Sequence, residues 1–255
     1  MKNLKFCVVF LLAAAMMTNA QIWYGLDDGD VWSDASNWIG GSGGVPGVSD
    51  WAEIIYDFPK TCILDSDAGT INTLHISAGG TGASMLIKNG GRLTVSGGDV
   101  SPGWNNNGTL TIETGGSLTA NCMFTVAMYD DTDSFARLIL NGGTLTVNNA
   151  FYHGIYFDGS STVDIRTEIN AGVLDVDALI LDRGIMNITN GTVIVAGDVL
   201  GLVANWVSAG RLTAFDGAGT IVAQLGNGYT EITAVPEPSM LVLLALGTLT
   251  LHRKR

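Results

Sequence analysis

Ile139-Leu140-Asn141-Gly142-Gly143-Thr144-Leu145-Thr146-Val147 decides the fold, because the same order of residue types recurs along the chain. It is preceded by Ile87-Lys88-Asn89-Gly90-Gly91-Arg92-Leu93-Thr94-Val95 and Ile112-Glu113-Thr114-Gly115-Gly116-Ser117-Leu118-Thr119-Ala120. Shorter forms follow at Ile169-Asn170-Ala171-Gly172-Val173-Leu174-Asp175-Val176 and Ile188-Thr189-Asn190-Gly191-Thr192-Val193-Ile194-Val195, with an echo at Ala209-Gly210-Arg211-Leu212-Thr213-Ala214. The second glycine falls at 91, 116, 143, 172, 191 and 210, in steps of 25, 27, 29, 19 and 19. Each copy reads as two short strands joined by a bend. Alternation puts Leu93/Val95, Leu118/Ala120 and Leu145/Val147 on one face. Asn-Gly or Gly-Gly supplies the positive φ of the bend. One copy cannot bury its apolar face alone. Stacked copies share one core, and each strand pairs with its equivalent in the next rung.

The expected fold is all-β: a right-handed parallel β-helix over residues 65–234, with about six or seven irregular rungs. An antiparallel sandwich is the alternative, because tight glycine bends also suit hairpins and the spacing is uneven. Segment 198–209 reads as a short helix or as a rung with an unusual loop.

The two ends are addresses. Residues 1–20 have the charged, apolar and small-residue parts of a secretory signal peptide, with Lys2 and Lys5 first and Ala20 before the cut. An uncleaved membrane anchor is the alternative there. The other end reads Val235-Pro236-Glu237-Pro238-Ser239, an apolar run over 240–251, then His252-Arg253-Lys254-Arg255. Twelve helical residues cover about 18 Å, against roughly 30 Å of hydrocarbon. Six leucines contribute only about −2 to −4 kcal/mol to insertion, so the segment makes transient membrane contact. The basic cluster stays cytoplasmic by the positive-inside rule.

Residues 235–255 resemble the PEP-CTERM sorting signal of bacterial exported proteins: motif, short membrane-spanning segment and basic tail, in that order. The resemblance implies an exosortase, a membrane transpeptidase-like enzyme, as partner after the export machinery and signal peptidase. Pro236, Glu237 and Pro238 are then processing residues, recognised rather than catalytic. The implied destination is the cell envelope, cell surface or extracellular polymer. This signal occurs on many folds and fixes location, not activity.

Without the two signals the core keeps 7 basic against 23 acidic side chains, a formal charge of −16. Such a field repels anionic polymers at low salt. With no Lys/Arg patch, nucleic-acid binding is excluded. Cys62 and Cys122 lie in an exported region, where a disulfide between them persists if formed; two buried free thiols are the alternative. Residues 21–64 hold Trp23, Trp32, Trp38 and Trp51. Their pattern Val31-Trp32-Ser33-Asp34-Ala35-Ser36-Asn37-Trp38, with Val45-Pro46-Gly47 and Asp50, resembles the opening segment of exported autotransporter-like repeat proteins. Physically it reads as a cap over the open solenoid end.

The chemistry-bearing residues are sparse. Only His75 and His153 remain in the core, each read as a surface or packing residue, so no Ser-His-Asp site or zinc spacing is present. Catalysis on a β-helix would draw on Asp130, Asp131 and Asp133, or on Asp175 and Asp177 with Arg166 and Arg183. Calcium is the one cofactor with candidate loops, at Asp130/Asp131/Asp133 or Asp27/Asp28/Asp30, neither with full EF-hand spacing. Trp104, on a Gly/Asn loop, is the foremost glycan-contact candidate, followed by Tyr129, Tyr152 and Tyr156. Thr94, Thr111, Thr119 and Thr146 suggest an outward threonine rank of the ice-binding kind. The reading is a non-enzymatic, exported, exosortase-processed structural or adhesive protein with an extracellular polysaccharide as partner. A polysaccharide lyase or hydrolase is the alternative, and an ice-binding surface protein the second.

Overall fold

A computed structural model describes residues 20–25, 30–41, 43–55, 61–78, 82–128, 134–154 and 163–237. The chain enters through β1 (Ala20–Trp23), β2 (Trp38–Gly40) and β3 (Trp51–Ile54). Three strands then make each turn: β4 (Thr61–Leu64), β5 (Asp67–Ile71), β6 (Thr73–Ile76); β7 (Ala83–Ile87), β8 (Arg92–Val95), β9 (Asp99–Pro102); β10 (Gly108–Glu113), β11 (Ser117–Ala120), β12 (Met123–Val126). The next two turns are single bent strands, β13 (Phe135–His153) and β14 (Asp164–Ile180). β15 (Ile185–Ile188) and β16 (Thr192–Ala196) follow, then helix α1 (Leu200–Ser208), β17 (Leu212–Ala214), β18 (Gly219–Leu225) and β19 (Tyr229–Pro236).

The result is a β-solenoid of about six turns. On its first face β4, β7, β10, β13, β14, β15 and β17 pair in parallel, in that order. The second face stacks β5, β8, β11, β13, β14 and β16. The third stacks β1, β3, β6, β9, β12, β13 and β14. Among the described residues antiparallel pairing occurs only at the two ends, in β1–β2, β16–β19 and β18–β19.

Alternation within each strand builds the interior. Leu93, Leu118, Leu145, Leu174 and Val193 occupy one register column and all are buried. Phe124 and Phe151 stack in the third-face column with ring centroids 5.1 Å apart. Each such side chain adds about 1.5–3 kcal/mol when removed from water, and only neighbouring turns provide the cover. The bends need glycine for two reasons. Gly142 has φ +104, while a Cβ on Gly143 would lie 2.6 Å from the Glu113 carbonyl oxygen of the turn below. One glycine turns the chain; the next lets rungs approach.

Three expectations change. Each turn has three strands rather than two, because the third face is built from four-residue segments such as Thr73–Ile76 that no glycine marks. The Gly210 copy is not a rung bend. It follows α1, its φ is +68, and the Leu212–Ala214 strand after it joins the first face instead of the second. The border between 64 and 65 falls inside the solenoid, since β3 and β4 already pair in parallel with β6 and β7.

The tryptophans close the entry end from within. Trp23, Trp32 and Trp38 are buried. Trp32 and Trp38 meet edge to face at 4.7 Å, and Trp38 Nε1 donates to the Trp32 carbonyl at 2.7 Å. At the exit end α1 covers the last rung with Val203 and Trp206, and β19 closes the second face against β16. No helix among the described residues is long and apolar enough to cross a membrane; the 240–251 run lies outside them.

One polar pair sits inside this core. His153 is fully buried, and its Nδ1 lies 3.1 Å from the Arg183 carbonyl, which can only accept. Nδ1 therefore carries the proton, and Nε2 accepts from Thr167 Oγ1 at 2.6 Å. Burial pushes the imidazole pKa down to about 4. The unfolded chain binds this proton near pH 6.5. Stability from this group is therefore complete above pH 6.5 and falls as pH drops toward 4, by about 2 kcal/mol between pH 7.5 and 5. Urea unfolding at both pH values should show this loss in the wild type and its absence in His153→Gln; equal losses would contradict the assignment.

Candidate functional site

The third face brings together residues from three successive turns. In β3, Trp51 and Glu53 point outward while Ala52 and Ile54 fill the core, as alternation requires. Glu53 is level with His75 of β6, and His75 is level with Ser101 of β9. His75 is the pivot. Its Nε2 lies 3.2 Å from Asp99 Oδ1, and its Nδ1 lies 4.0 Å from Glu53 Oε1. Trp104 stacks on its ring at 3.6 Å and 22°, and Trp51 meets it edge-on at 6.1 Å.

The loop after β9 places Trp104. Gly103 takes φ +76, and the amides of Gly103 and Trp104 both donate to the Ile76 carbonyl. Asn105 then ties the loop to the corner of the turn below, through its amide to Ser77 and its Nδ2 to Ala78. His75 is consequently 3% exposed, a packing residue under the indole. Trp51 keeps 43% of its surface, and the Glu53 side chain keeps 22%. An aromatic plate beside a carboxylate is a surface that stacks sugar rings and accepts hydrogen bonds from their polar edges.

Of the sequence-derived candidates, Trp104 belongs to this cluster. Tyr152 is on the same column but beyond Ser101 and Thr125, on β13. Tyr129, Tyr156, Asp27, Asp28, Asp130, Asp131 and Asp133 lie outside the described residues. Asp30 is described, and its carbonyl accepts from the Ile63 amide. Among the described residues no three metal-ligating side chains converge. From the sequence, Trp51 is placed in the cap, and Glu53 and Asp99 are not singled out. The signal for the first two was the outward phase of Trp51-Ala52-Glu53-Ile54; what brings Asp99 to them is pairing across turns.

Other groupings do not form. Arg166 bonds Glu168 and Asp216 on the first face, and the Glu168 hydrogen bond is the largest cause of its raised pKa. Asp175 lies on the second face between Thr146 and Ile194. Thr70, Thr94, Thr119 and Thr146 do share one outward column, but Thr111 is on the first face beside Leu86 and Ile139. Cys62 and Cys122 are separate buried thiols. Burial, reinforced by Asp30, pushes the Cys62 pKa up; burial and Asp99 push Cys122 up to about 12. Both stay protonated and unreactive at neutral pH. A shallow groove of about 410 Å³ crosses the corner between the first two faces, lined by Asp65, Lys88, Asn89, Glu113, Thr114 and Asn141.

The sorting motif starts where the fold stops. Pro236 is the last residue of β19, opposite Gly219, and the Glu237 amide donates to the Ala218 carbonyl at 3.3 Å. Pro238 lies outside the described residues. No curated protein and no solved structure matches the chain. Residues 234–255 match the family described as the PEP-CTERM protein-sorting motif. The chain thus ends in a PEP-CTERM sorting motif, a signal for export and for exosortase processing toward the cell surface or extracellular space.

Proposed function

We propose that the protein is a structural, adhesive display rod of the cell surface, contacting extracellular glycans through its third face. The observation that carries this reading is the run of β19 directly into Pro236-Glu237. The sorting signal leaves one end of a closed solenoid, so processing there presents the other turns outward. The side walls are strands whose edges are paired rung to rung, which leaves few backbone groups open to proteases or foreign strands.

The lyase or hydrolase alternative has less support. Arg166 is held by two carboxylates, and Asp175 lies on a different face from it. The ice-binding alternative also loses regularity. Beside the Thr94–Thr119–Thr146 column stand Arg92, Ser117 and Thr144, and the next turn substitutes Val173 and Asp175.

A panel of acidic, neutral and amino-sugar polysaccharides, read for retention, reducing ends and unsaturated products, tests the proposal. Retention without turnover is expected. Turnover abolished by Asp175→Asn would overturn it.

A further inference from the structure

We infer that the Trp51–Glu53 surface of the third face binds glycans containing unacetylated amino sugars. This rests on the glycan-contact reading above and names the ligand class. Three observations converge. Trp51 is the exposed aromatic of the cluster, at 43%, and sits on the outward side of β3 two residues before Glu53. Glu53 and Asp99 approach the two ring nitrogens of His75, and that imidazole is their common partner in the cluster. The imidazole accommodates Asp99 at hydrogen-bond distance, while Glu53 stays at 4.0 Å with part of its carboxylate in solvent. A cation placed against Trp51 therefore meets both an indole and a carboxylate.

Charge selects among sugars. The core carries −16, so uronates are repelled and a protonated hexosamine is attracted. The sugar's apolar face stacks on Trp51, and its ammonium pairs with Glu53. Trp104 and Asp99 hold His75 in place behind them and act as positioning residues.

Binding of the exported protein to glucosamine oligosaccharides, their N-acetylated counterparts and oligogalacturonates, measured by calorimetry, tests this. The glucosamine oligomer should bind tightest. Trp51→Ala and Glu53→Gln should each weaken it about tenfold, the size expected for a partly desolvated cation–π contact or charged hydrogen bond. Trp51→Phe should recover part of the loss. The variant Asp175→Asn removes a charge from the second face and should leave binding unchanged; an equal loss there would show bulk charge attraction and overturn the site. N-acetylated oligomers binding equally well, with dependence on Trp51 alone, would overturn the amine assignment and leave glycan contact standing. No binding to any oligomer would overturn both. Unchanged melting curves for Trp51→Ala and Glu53→Gln exclude loss of fold as the cause.

Discussion

Replacing Pro236 and Pro238 by alanine will leave the chain unprocessed, with its basic tail attached. The argument has two parts. The apolar run of 240–251 is too short to be a durable span, which suits a segment that presents the motif to a membrane enzyme. The motif match over 234–255 implies that this enzyme is an exosortase. The fold will not suffer. Pro236 is the last residue of β19, opposite Gly219 and beyond the stretch that pairs with β16, and alanine adopts the same extended backbone there; Pro238 lies outside the described residues. Intact mass of surface-released protein is the measurement. Wild-type protein should lack the residues beyond the motif. The double alanine variant should retain Arg255, whether cell-bound or released. Processing of the variant at the wild-type rate would contradict the assignment of these prolines.

Gly172→Val should be the most damaging single change in the solenoid. Gly172 turns β14 at φ +90, a conformation that β-branched side chains avoid. A Cβ there would also sit 2.1 Å from the Gly143 carbonyl oxygen and 2.9 Å from the Gly143 amide nitrogen. Both neighbours are backbone of the preceding turn and cannot rotate away. Strain and rung separation add, so a loss of about 3 kcal/mol or more is expected, enough to unfold much of the population of a marginal domain. Gly201→Ala is the matched control. It lies in α1 with nothing near its Cβ, and should stabilise by about 0.5–1 kcal/mol. Urea midpoints of the two variants should move in opposite directions. A Gly172→Val midpoint equal to wild type would mean that the rungs do not approach as described.

The contrast between these glycines explains what could be read from the sequence. The Leu-Thr-Val and Leu-Thr-Ala stretches after each Gly-Gly fixed the second face, because a bend and an alternating strand adjoin there. The third face was not legible as a repeat, although residues 70–77 read as an alternating strand. Its strands, Thr73–Ile76 and Asp99–Pro102, supply two inward positions each, too few to establish a period. The step lengths misled for a related reason. The fall from 29 residues to 19 reflects the short Leu181–Gly184 passage between β14 and β15, not a missing strand. Gly210 copied the repeat's spelling while ending a helix, a use of positive φ that composition alone does not distinguish.

The site divides along the same line. Trp104 was visible because a tryptophan between glycine and asparagines has little local reason to be there. Its partner was not, because His75 is 24 residues from Asp99 and 22 from Glu53 in the chain, about one turn each way. Only stacking makes them neighbours. The Asp175 and Arg166 grouping failed for the complementary reason: nine residues apart in sequence, they point from different faces.

Disulfide trapping along the threonine column tests the stacking of turns most directly. Thr94 and Thr119 are register partners on adjacent rungs, with Thr146 one rung further. Adjacent parallel strands lie about 4.8 Å apart, inside the Cα range of about 4.4–6.8 Å that a disulfide bridges, and two rungs span about 10 Å. Thr94→Cys/Thr119→Cys should cross-link within one chain on mild oxidation, and Thr94→Cys/Thr146→Cys should not, as read by peptide mass under non-reducing conditions. Cross-linking of the second pair, or of neither, would contradict the parallel solenoid.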